Sequence, residues 1–263
     1  MSEAKVIAIT NQKGGVAKST TTVNLGVGLS KLGKKVLVID ADPQGSLSVS
    51  LGIRNPDELE ASLSTLMQSV LEDEPLDEEN ILFHHEEGID LIPSNIELSG
   101  IEISLFNVMS RELILKNCIK HFKESYDYIL IDCMPSLGLM TINALAAADS
   151  IIIPSQPNFL STKGLNLLFR SIAKVKRQIN PALSIDGILL TMVNGRTNNA
   201  KNISASLRES VGGGIRVFDT EIPHSVRIPE SSIEGKSIFA YDRNCKAAMA
   251  CEAFSKEVVS IEK

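Results

Sequence analysis

Lysines, glycines and hydroxyl groups lie close together near the start of the chain, in the stretch NQKGGVAKST at 11–20. Gly14 and Gly15 allow the backbone to turn with its N–H groups pointing inward, and a following helix adds the positive end of its dipole. Lys18 is then placed to reach the β- and γ-phosphates of a nucleotide, and Ser19 to give a hydroxyl ligand to Mg²⁺. The stretch is therefore predicted to be a phosphate-binding loop.

This loop departs from the usual pattern G-x-x-x-x-G-K-[ST]. Aligned on Lys18 and Ser19, that pattern requires glycine at two positions where the chain has Gln12 and Ala17. Because only a positive φ demands glycine, Ala17 is tolerable at its position if its φ is negative. The strand-like run VIAIT before the loop and the helical segment after it make an incidental glycine-rich turn the weaker interpretation.

Apolar runs bounded by turn residues recur along the chain and alternate with segments of helical period. The runs predicted to be strands are 6–10, 36–40, 89–93, 126–132, 150–154 and 185–194. The segments predicted to be helices are 19–32, 97–107, 110–123, 138–147, 162–179 and 242–259. Strands that are apolar on both faces and alternate with helices indicate a mostly parallel sheet covered on both sides. We therefore predict an α/β fold, a single doubly wound domain over residues 1–263 with helices on both faces of the sheet.

Three aspartates stand where predicted strands end. Asp40 and Asp42 follow the run VLVI, and Asp132 ends the run YDYILID. A single aspartate in such a place is most simply a helix or turn cap. Ligands of parallel sheets bind at the carboxyl ends of the strands, however, and three aspartates behind one phosphate loop exceed what capping requires.

Charge is distributed unevenly over a chain whose formal net charge is −6. Residues 57–90 hold twelve Asp/Glu and no Lys or Arg, so we predict an acidic surface insertion at about 55–88, with a short helix at about 59–71. Residues 163–227 hold ten Lys/Arg against four Asp/Glu. A solvated face is the usual explanation of such a bias, but a local basic surface remains available to a polyanion.

Several classes of protein are disfavoured by composition. No apolar run approaches the ~18 residues of a membrane span, and the N-terminus lacks the basic start of a secretory signal, so a cytoplasmic protein is expected. The cysteines show no C-x-x-C spacing, which predicts reduced thiols and neither a disulfide frame nor a metal site. They are Cys118, Cys133, Cys245 and Cys251.

Three motifs together resemble those of the ParA/Soj-type partition ATPases, in the deviant-Walker (MinD/ParA) superfamily. They are K-G-G-x-x-K-[ST] at 13–19, DADPQGS at 40–46 and YDYILIDCMPSLG at 126–138. The stretches TMVNGRTN at 191–198 and EIPHSVRIPESSIEGKSIFAYD at 221–242 are similar to later blocks of that family, so the resemblance spans nearly the whole chain. It implies a P-loop NTPase-like fold, ATP and Mg²⁺ as cofactors, and ATP hydrolysis.

The resemblance also implies roles for individual residues. Lys13 is the signature lysine, which in this family crosses the interface of an ATP-bound homodimer to touch the phosphates in the partner's site. Asp42 would position the attacking water, while Ser19, Asp40 and Asp132 would serve the Mg²⁺ ion. The residues implied in nucleotide binding are Lys13, Gly14, Gly15, Val16, Ala17, Lys18, Ser19 and Thr20 at the phosphates and Asn194 and Pro223 at the adenine.

The chain also departs from the family in two of these blocks. Cys133-Met134-Pro135 stands where the family usually has Thr-Pro-Pro, which leaves the metal aspartate in place but could alter movement of the loop that follows it. His224 stands where many relatives have arginine, which could weaken DNA contact there.

Non-specific double-stranded DNA and a ParB-like centromere-binding protein that stimulates hydrolysis are the partners that the resemblance implies. Arg196 and Arg227 would contact phosphates, with Lys201 and Arg208 as weaker neighbours; the alternative is that the two arginines pair with local carboxylates such as Asp219 or Glu230. Because the phosphate loop starts at residue 11, we expect the short form, without an N-terminal helix-turn-helix. A nucleoid-associated protein is expected on this interpretation.

A MinD-like ATPase on the membrane surface is the alternative function. That function would need a C-terminal amphipathic helix with basic and bulky apolar faces, which the closing residues SIEK do not provide. We therefore expect no membrane partner.

Overall fold

One eight-stranded sheet organises the computed structural model, which describes residues 3–75, 78–157, 159–194 and 214–261. The strands are β1 (Lys5–Ile9), β2 (Val36–Ala41), β3 (Phe83–His85), β4 (Ile89–Ile92), β5 (Tyr128–Cys133), β6 (Ser150–Ser155), β7 (Ser184–Val193) and β8 (Val217–Pro223). Their order across the sheet is β3-β4-β2-β5-β1-β6-β7-β8. All neighbours are parallel except the pair β3 and β4.

Helices cover both faces of this sheet. They are α1 (Lys18–Lys31), α2 (Ser46–Ser50), α3 (Leu63–Leu71), α4 (Glu78–Ile81), α5 (Leu98–Ser104), α6 (Ile114–Ile119), α7 (Leu139–Ala147), α8 (Phe159–Gln178), α9 (Arg227–Ile233), α10 (Ile238–Tyr241) and α11 (Lys246–Ser260). Short 3₁₀ turns lie at Pro56–Glu58, Leu105–Asn107, Arg111–Leu113 and Lys120–Phe122. Among the described residues, no helix is long and apolar enough to cross a bilayer.

Two apolar cores lie on opposite sides of the sheet. One contains buried side chains of α3, α5, α6, α7 and α8, and the other those of α1, α2, α10 and α11. All residues of the central strands β2 and β5 are buried, because each face of the sheet meets a helical layer. The predicted doubly wound α/β fold is thereby confirmed.

Strands β3 and β8 were not predicted, and both lie at an edge of the sheet. β3 has only three residues, Phe-His-His, and two of them are exposed. β8 mixes apolar residues with Asp219 and Glu221, which hides the strand pattern. Edge strands are often short and carry charged side chains, because one backbone edge of each has no neighbouring strand.

Glu257 fastens α11 to strand β8. Its carboxylate accepts hydrogen bonds from the backbone N–H groups of Asp219 (2.8 Å) and Thr220 (3.0 Å), and it pairs with Arg216 at 3.1 Å. Burial alone would raise the pKa of Glu257, but these partners lower it below its ordinary value. The ionised carboxylate therefore holds the last described helix against the sheet.

The acidic segment contains both buried and exposed parts. Helix α3 directs Leu63, Leu66 and Met67 into the core, and a capping box between Ser62 and Thr65 fixes its N-terminus. The acidic residues at 72–74 are exposed. This segment is thus anchored on the sheet through α3, while its charges at 72–74 face the solvent.

Candidate nucleotide site

The glycine turn connects β1 to α1 at the carboxyl edge of the sheet, as the loop motif predicts. Helix α1 begins at Lys18, which is buried, and Ser19 and Thr20 follow in its first turn. Gly14 and Gly15 are exposed, and Gly15 has a φ of 69°. The backbone N–H groups at the start of this helix have no partner within the helix, which makes them available to an anion.

Ala17 has a φ of 65° and a ψ of 37°, so the negative φ under which alanine is easily tolerated here is not present. The chain must reverse between β1 and α1, and a left-handed residue just before the helix completes that reversal. A side chain in this conformation costs roughly 1–2 kcal/mol, because Cβ approaches the following carbonyl oxygen. The chain therefore holds alanine where the backbone favours glycine.

Three side chains outside the glycine turn hold its surroundings in place. They donate hydrogen bonds as follows: Asn11 Nδ2 to the carbonyl of Pro154 (2.8 Å), Gln156 Nε2 to that of Gly15 (2.9 Å) and Thr191 Oγ1 to that of Val16 (3.0 Å). Asn11 Oδ1 also accepts the N–H of Lys13 at 3.0 Å. The loop is therefore tied to the ends of β6 and β7.

These three residues were not predicted from the sequence, because a single polar residue makes no pattern. One signal was present in two of them, since Asn11 and Gln156 each follow shortly after a predicted strand. Polar side chains at the carboxyl end of a parallel strand are candidates for a ligand edge.

Asp40 and Asp132 lie side by side, because the register of β2 and β5 pairs these two residues directly. Asp40 is fully buried and accepts hydrogen bonds from the N–H and the hydroxyl of Ser48, both at 2.8 Å, and from the N–H of Asp42 at 3.2 Å. Burial raises the pKa of Asp40 to about 6, although these hydrogen bonds act in the opposite direction. Asp42 is also buried, and its carboxylate accepts the N–H of Gln44 at 3.0 Å.

Asp132 has an unsatisfied oxygen. Its Oδ1 accepts a hydrogen bond from Thr22 Oγ1 at 3.4 Å, but Oδ2 is buried and has no partner among the described residues. Burial, and then the charge of Asp40, raise the pKa of Asp132 well above its ordinary value, while Ser19 and Lys18 lower it.

A buried carboxylate oxygen without a partner is costly, and a cation or a bound water would satisfy it. Carboxylate and hydroxyl oxygens are the ligands that Mg²⁺ prefers, and the ion usually keeps several waters. Ser19, Asp40 and Asp132 therefore fit a magnesium site, held directly or through water.

A pocket of about 590 Å³, its open mouth included, lies beside the first turn of α1. Thr20 and Thr21 of α1, Met192 of β7 and Pro223 of β8 line it, whereas Asn194 does not. Its lining is mainly apolar. Of the two residues implied at the adenine, Pro223 therefore lies at this pocket.

Of the four residues implied in DNA contact, only Arg227 lies within the described residues. Arg196, Lys201 and Arg208 lie outside them. Arg227 pairs with Glu230 (Nη1 to Oε2, 3.1 Å) and with Asp242 (Nε to Oδ2, 3.6 Å). The local pairing that was the alternative for this arginine is therefore present, although its side chain remains half exposed.

A parallel sheet that delivers a glycine turn, a helix N-terminus and paired aspartates to one edge defines a P-loop nucleotide-binding fold. A family model described as an AAA domain matches residues 4–185. The sporulation initiation inhibitor protein Soj of Bacillus subtilis is 41% identical over 97% of this chain and 98% of its own length. The chromosome partitioning protein ParA of Caulobacter vibrioides is 38% identical over 98% of this chain and 95% of its own length.

A solved structure of similar fold is that of cobyrinic acid a,c-diamide synthase from Mycobacterium smegmatis with a bound ATP analog and magnesium. It is 32% identical, covers 97% of this chain and 94% of its own, and has a TM-score of 0.84. The chain belongs to the ParA/Soj-type ATPases of the MinD/ParA family. The family resemblance predicted from the three motifs is thereby confirmed.

Proposed function

We propose that this chain is a DNA partition ATPase in which ATP binding drives dimerisation and DNA binding. It is an ATPase by its family, and ATP and Mg²⁺ are its cofactors. The observation that carries the proposal is the phosphate loop beside the unsatisfied Oδ2 of Asp132. The names of the Soj and ParA relatives support partition as the process that the ATPase serves.

The phosphates lie against the loop and the N-terminus of α1. Backbone N–H groups and the buried Lys18 balance their negative charge. The hydrogen bond from Gln156 to the carbonyl of Gly15 fixes the conformation of the turn that binds them. Bound Mg²⁺ would neutralise charge on the phosphate oxygens. The residues at the phosphates are Gly14, Gly15, Val16, Ala17, Lys18, Ser19 and Thr20, while Pro223 and Asn194 serve the adenine.

Asp42 positions the water that attacks the γ-phosphate. It begins the loop from β2 to α2, and its backbone is tied to Asp40 by the bond from its N–H. Asp42 is thereby held next to the pair of aspartates that serve Mg²⁺. A positioned water is the main requirement of phosphoryl transfer, because little covalent chemistry is left to the protein.

Lys13 acts in trans in this proposal. Its N–H is held by Asn11, at the front edge of the loop, and its side chain is only partly buried. A cation delivered by a second copy stabilises charge on the transferred phosphoryl group, as an arginine finger does. Hydrolysis then depends on dimerisation, and a ParB-like partner stimulates it.

DNA is bound without sequence preference by the ATP dimer. Two copies present their weak cationic sites together, which raises the apparent affinity for a polyanion. Arg196, Lys201, Arg208 and Arg227 remain the proposed contacts, and Arg227 would exchange its pairing with Glu230 for a phosphate.

The membrane alternative gains no support from the last described helix. A surface-binding helix needs a free apolar face. The apolar face of α11 is buried in the core through Ala247, Cys251, Phe254 and Val258.

An experiment on the two loop lysines tests the proposal. Lys18→Ala should abolish ATP binding, measured by titration with a fluorescent ATP analog. Lys13→Ala should keep monomer binding but lose ATP-dependent dimerisation, measured by light scattering with Mg²⁺, and turnover. Lys35→Ala, at an exposed position, is the control. Equal loss of nucleotide affinity in the two loop variants would refute the assignment of Lys13 to the partner's site.

A further inference from the structure

The outer face of helix α8 carries a row of positive charges. Its sequence FLSTKGLNLLFRSIAKVKRQ contains five Lys/Arg and no Asp/Glu. Arg170, Lys174 and Arg177, called the α8 row below, are exposed. Within the part of the chain that the structure describes, none of the three forms an ion pair. Other cations of this acidic chain do, for example Lys256 with Glu252 at 2.6 Å.

The α8 row is straight and faces away from the core. Successive steps of four and three residues keep the three side chains on one side of a helix, and seven residues span about 10 Å along its axis. The opposite side of the helix is buried. Its core residues are Leu165, Leu168, Ile172 and Val175.

Helix stability alone does not account for these charges. Cations in the last turn interact favourably with the negative end of the helix dipole, which explains Lys176 and Arg177. That effect fades within one turn, so it does not reach Arg170, which lies more than two turns earlier. A solvated surface helix also usually mixes both signs of charge, and α8 has only one.

We propose that the α8 row contacts the phosphate backbone of duplex DNA, as a surface additional to the four cations named above. This inference rests on the proposed function and adds a contact within the described residues. Each strand of B-form DNA carries one phosphate per about 3.4 Å of axis, so a row of about 10 Å spans about three phosphates of one strand. In a chain of net charge −6, DNA needs such a local cluster to bind.

A lipid surface fits this helix less well than DNA does. Amphipathic helices bind bilayers by burying an apolar face among the lipid chains. The main apolar face of α8 is buried in the core of the protein, and Leu167 is the one exposed large apolar residue among the described side chains of this helix, so its exposed side is mainly polar and charged. The phosphate backbone of duplex DNA can be bound by such charges alone.

The test compares two triple variants of equal charge change in the full chain with ATP and Mg²⁺. One combines Arg170→Gln, Lys174→Gln and Arg177→Gln. The control combines Lys35→Gln, Arg54→Gln and Lys246→Gln, at exposed positions in three separate segments. Affinity for random-sequence duplex DNA is measured at several salt concentrations, and dimerisation by light scattering.

The α8 variant should dimerise with ATP but bind DNA about tenfold more weakly or worse at low salt. The slope of log affinity against log salt should fall by about 0.9 for each phosphate that the variant no longer neutralises, and the control should keep the wild-type slope. Equal affinity and slope in the two variants would overturn the role of the α8 row and leave the proposed function standing. Wild-type dimers that bind no DNA would overturn both. If the wild type and the control bind vesicles of anionic lipid and the α8 variant does not, DNA is overturned as the ligand.

Discussion

Replacing Ala17 by glycine tests the strained conformation at the start of α1. The left-handed backbone costs alanine roughly 1–2 kcal/mol, and glycine removes this cost. Glycine also adds roughly 0.5–1 kcal/mol of conformational entropy to the unfolded chain, which opposes the gain. The net change in the free energy of unfolding should therefore lie between zero and about +1.5 kcal/mol.

Ala253→Gly is the matched control, because it makes the same chemical change at an exposed position inside α11. Ala253 lies within a helix, where glycine costs about 1 kcal/mol. The entropy of the unfolded chain cancels between the two variants. Their difference, about 1–2 kcal/mol in favour of Ala17→Gly, therefore reports the strain at residue 17.

Thermal unfolding of the two variants without nucleotide is the assay. For a chain of this size, a difference of 1–2 kcal/mol should separate the two midpoints by about 2–6 °C. ATP affinity of Ala17→Gly should stay close to that of the wild type, because the loop keeps the same turn. If Ala17→Gly lowers the midpoint as much as Ala253→Gly does, the left-handed conformation at Ala17 is not a source of strain.

Two further predictions concern Asp42 and Glu257. Asp42→Ala should bind ATP and remain dimeric in gel filtration because hydrolysis fails, with Asp73→Ala as an exposed control; a variant that is only monomeric with ATP and Mg²⁺ would contradict the role of Asp42. Glu257→Gln should lower the free energy of unfolding by about 1–2 kcal/mol at pH 7, since it loses a charge-assisted anchor. Because the pKa of Glu257 is lowered, this loss should shrink as the pH falls below the ordinary value of 4.5 and through the lowered pKa. Glu252→Gln, which removes an exposed ion pair with Lys256, should change stability little, and equal effects of the two substitutions would refute the anchor.

The strands predicted from the sequence are those buried on both faces. A run such as VLVID has no polar face, so it indicates a central strand without knowledge of its neighbours. The edge strand at Val217–Pro223 depends instead on its pairing with β7 and on the hydrogen bonds that its backbone donates to Glu257 of α11. Such partners are distant in the sequence, so the local pattern of apolar and polar residues does not indicate them.

The candidate site divides in the same way. Lys18, Ser19 and the strand-end aspartates follow from residue type and spacing, and the sheet register brings Asp40 next to Asp132. The left-handed backbone at Ala17 was not predictable, because the residue that stands there argues for the opposite conformation. Its cause is the connection between β1 and α1, which only the folded structure shows.

Strain and desolvation are concentrated at the edge of the sheet where the nucleotide would bind. Ala17 and Met192 both have positive φ and both line the pocket, while Asp40 and Asp132 are buried with raised pKa values. Each feature costs stability in the free protein, and the apolar cores on both sides of the sheet offset that cost. A cation beside Asp132 would reduce this cost, since it would satisfy Oδ2 and offset the repulsion between the two carboxylates. The same arrangement that destabilises the free protein therefore favours the form loaded with Mg²⁺ and ATP, and binding should stabilise the fold by mass action.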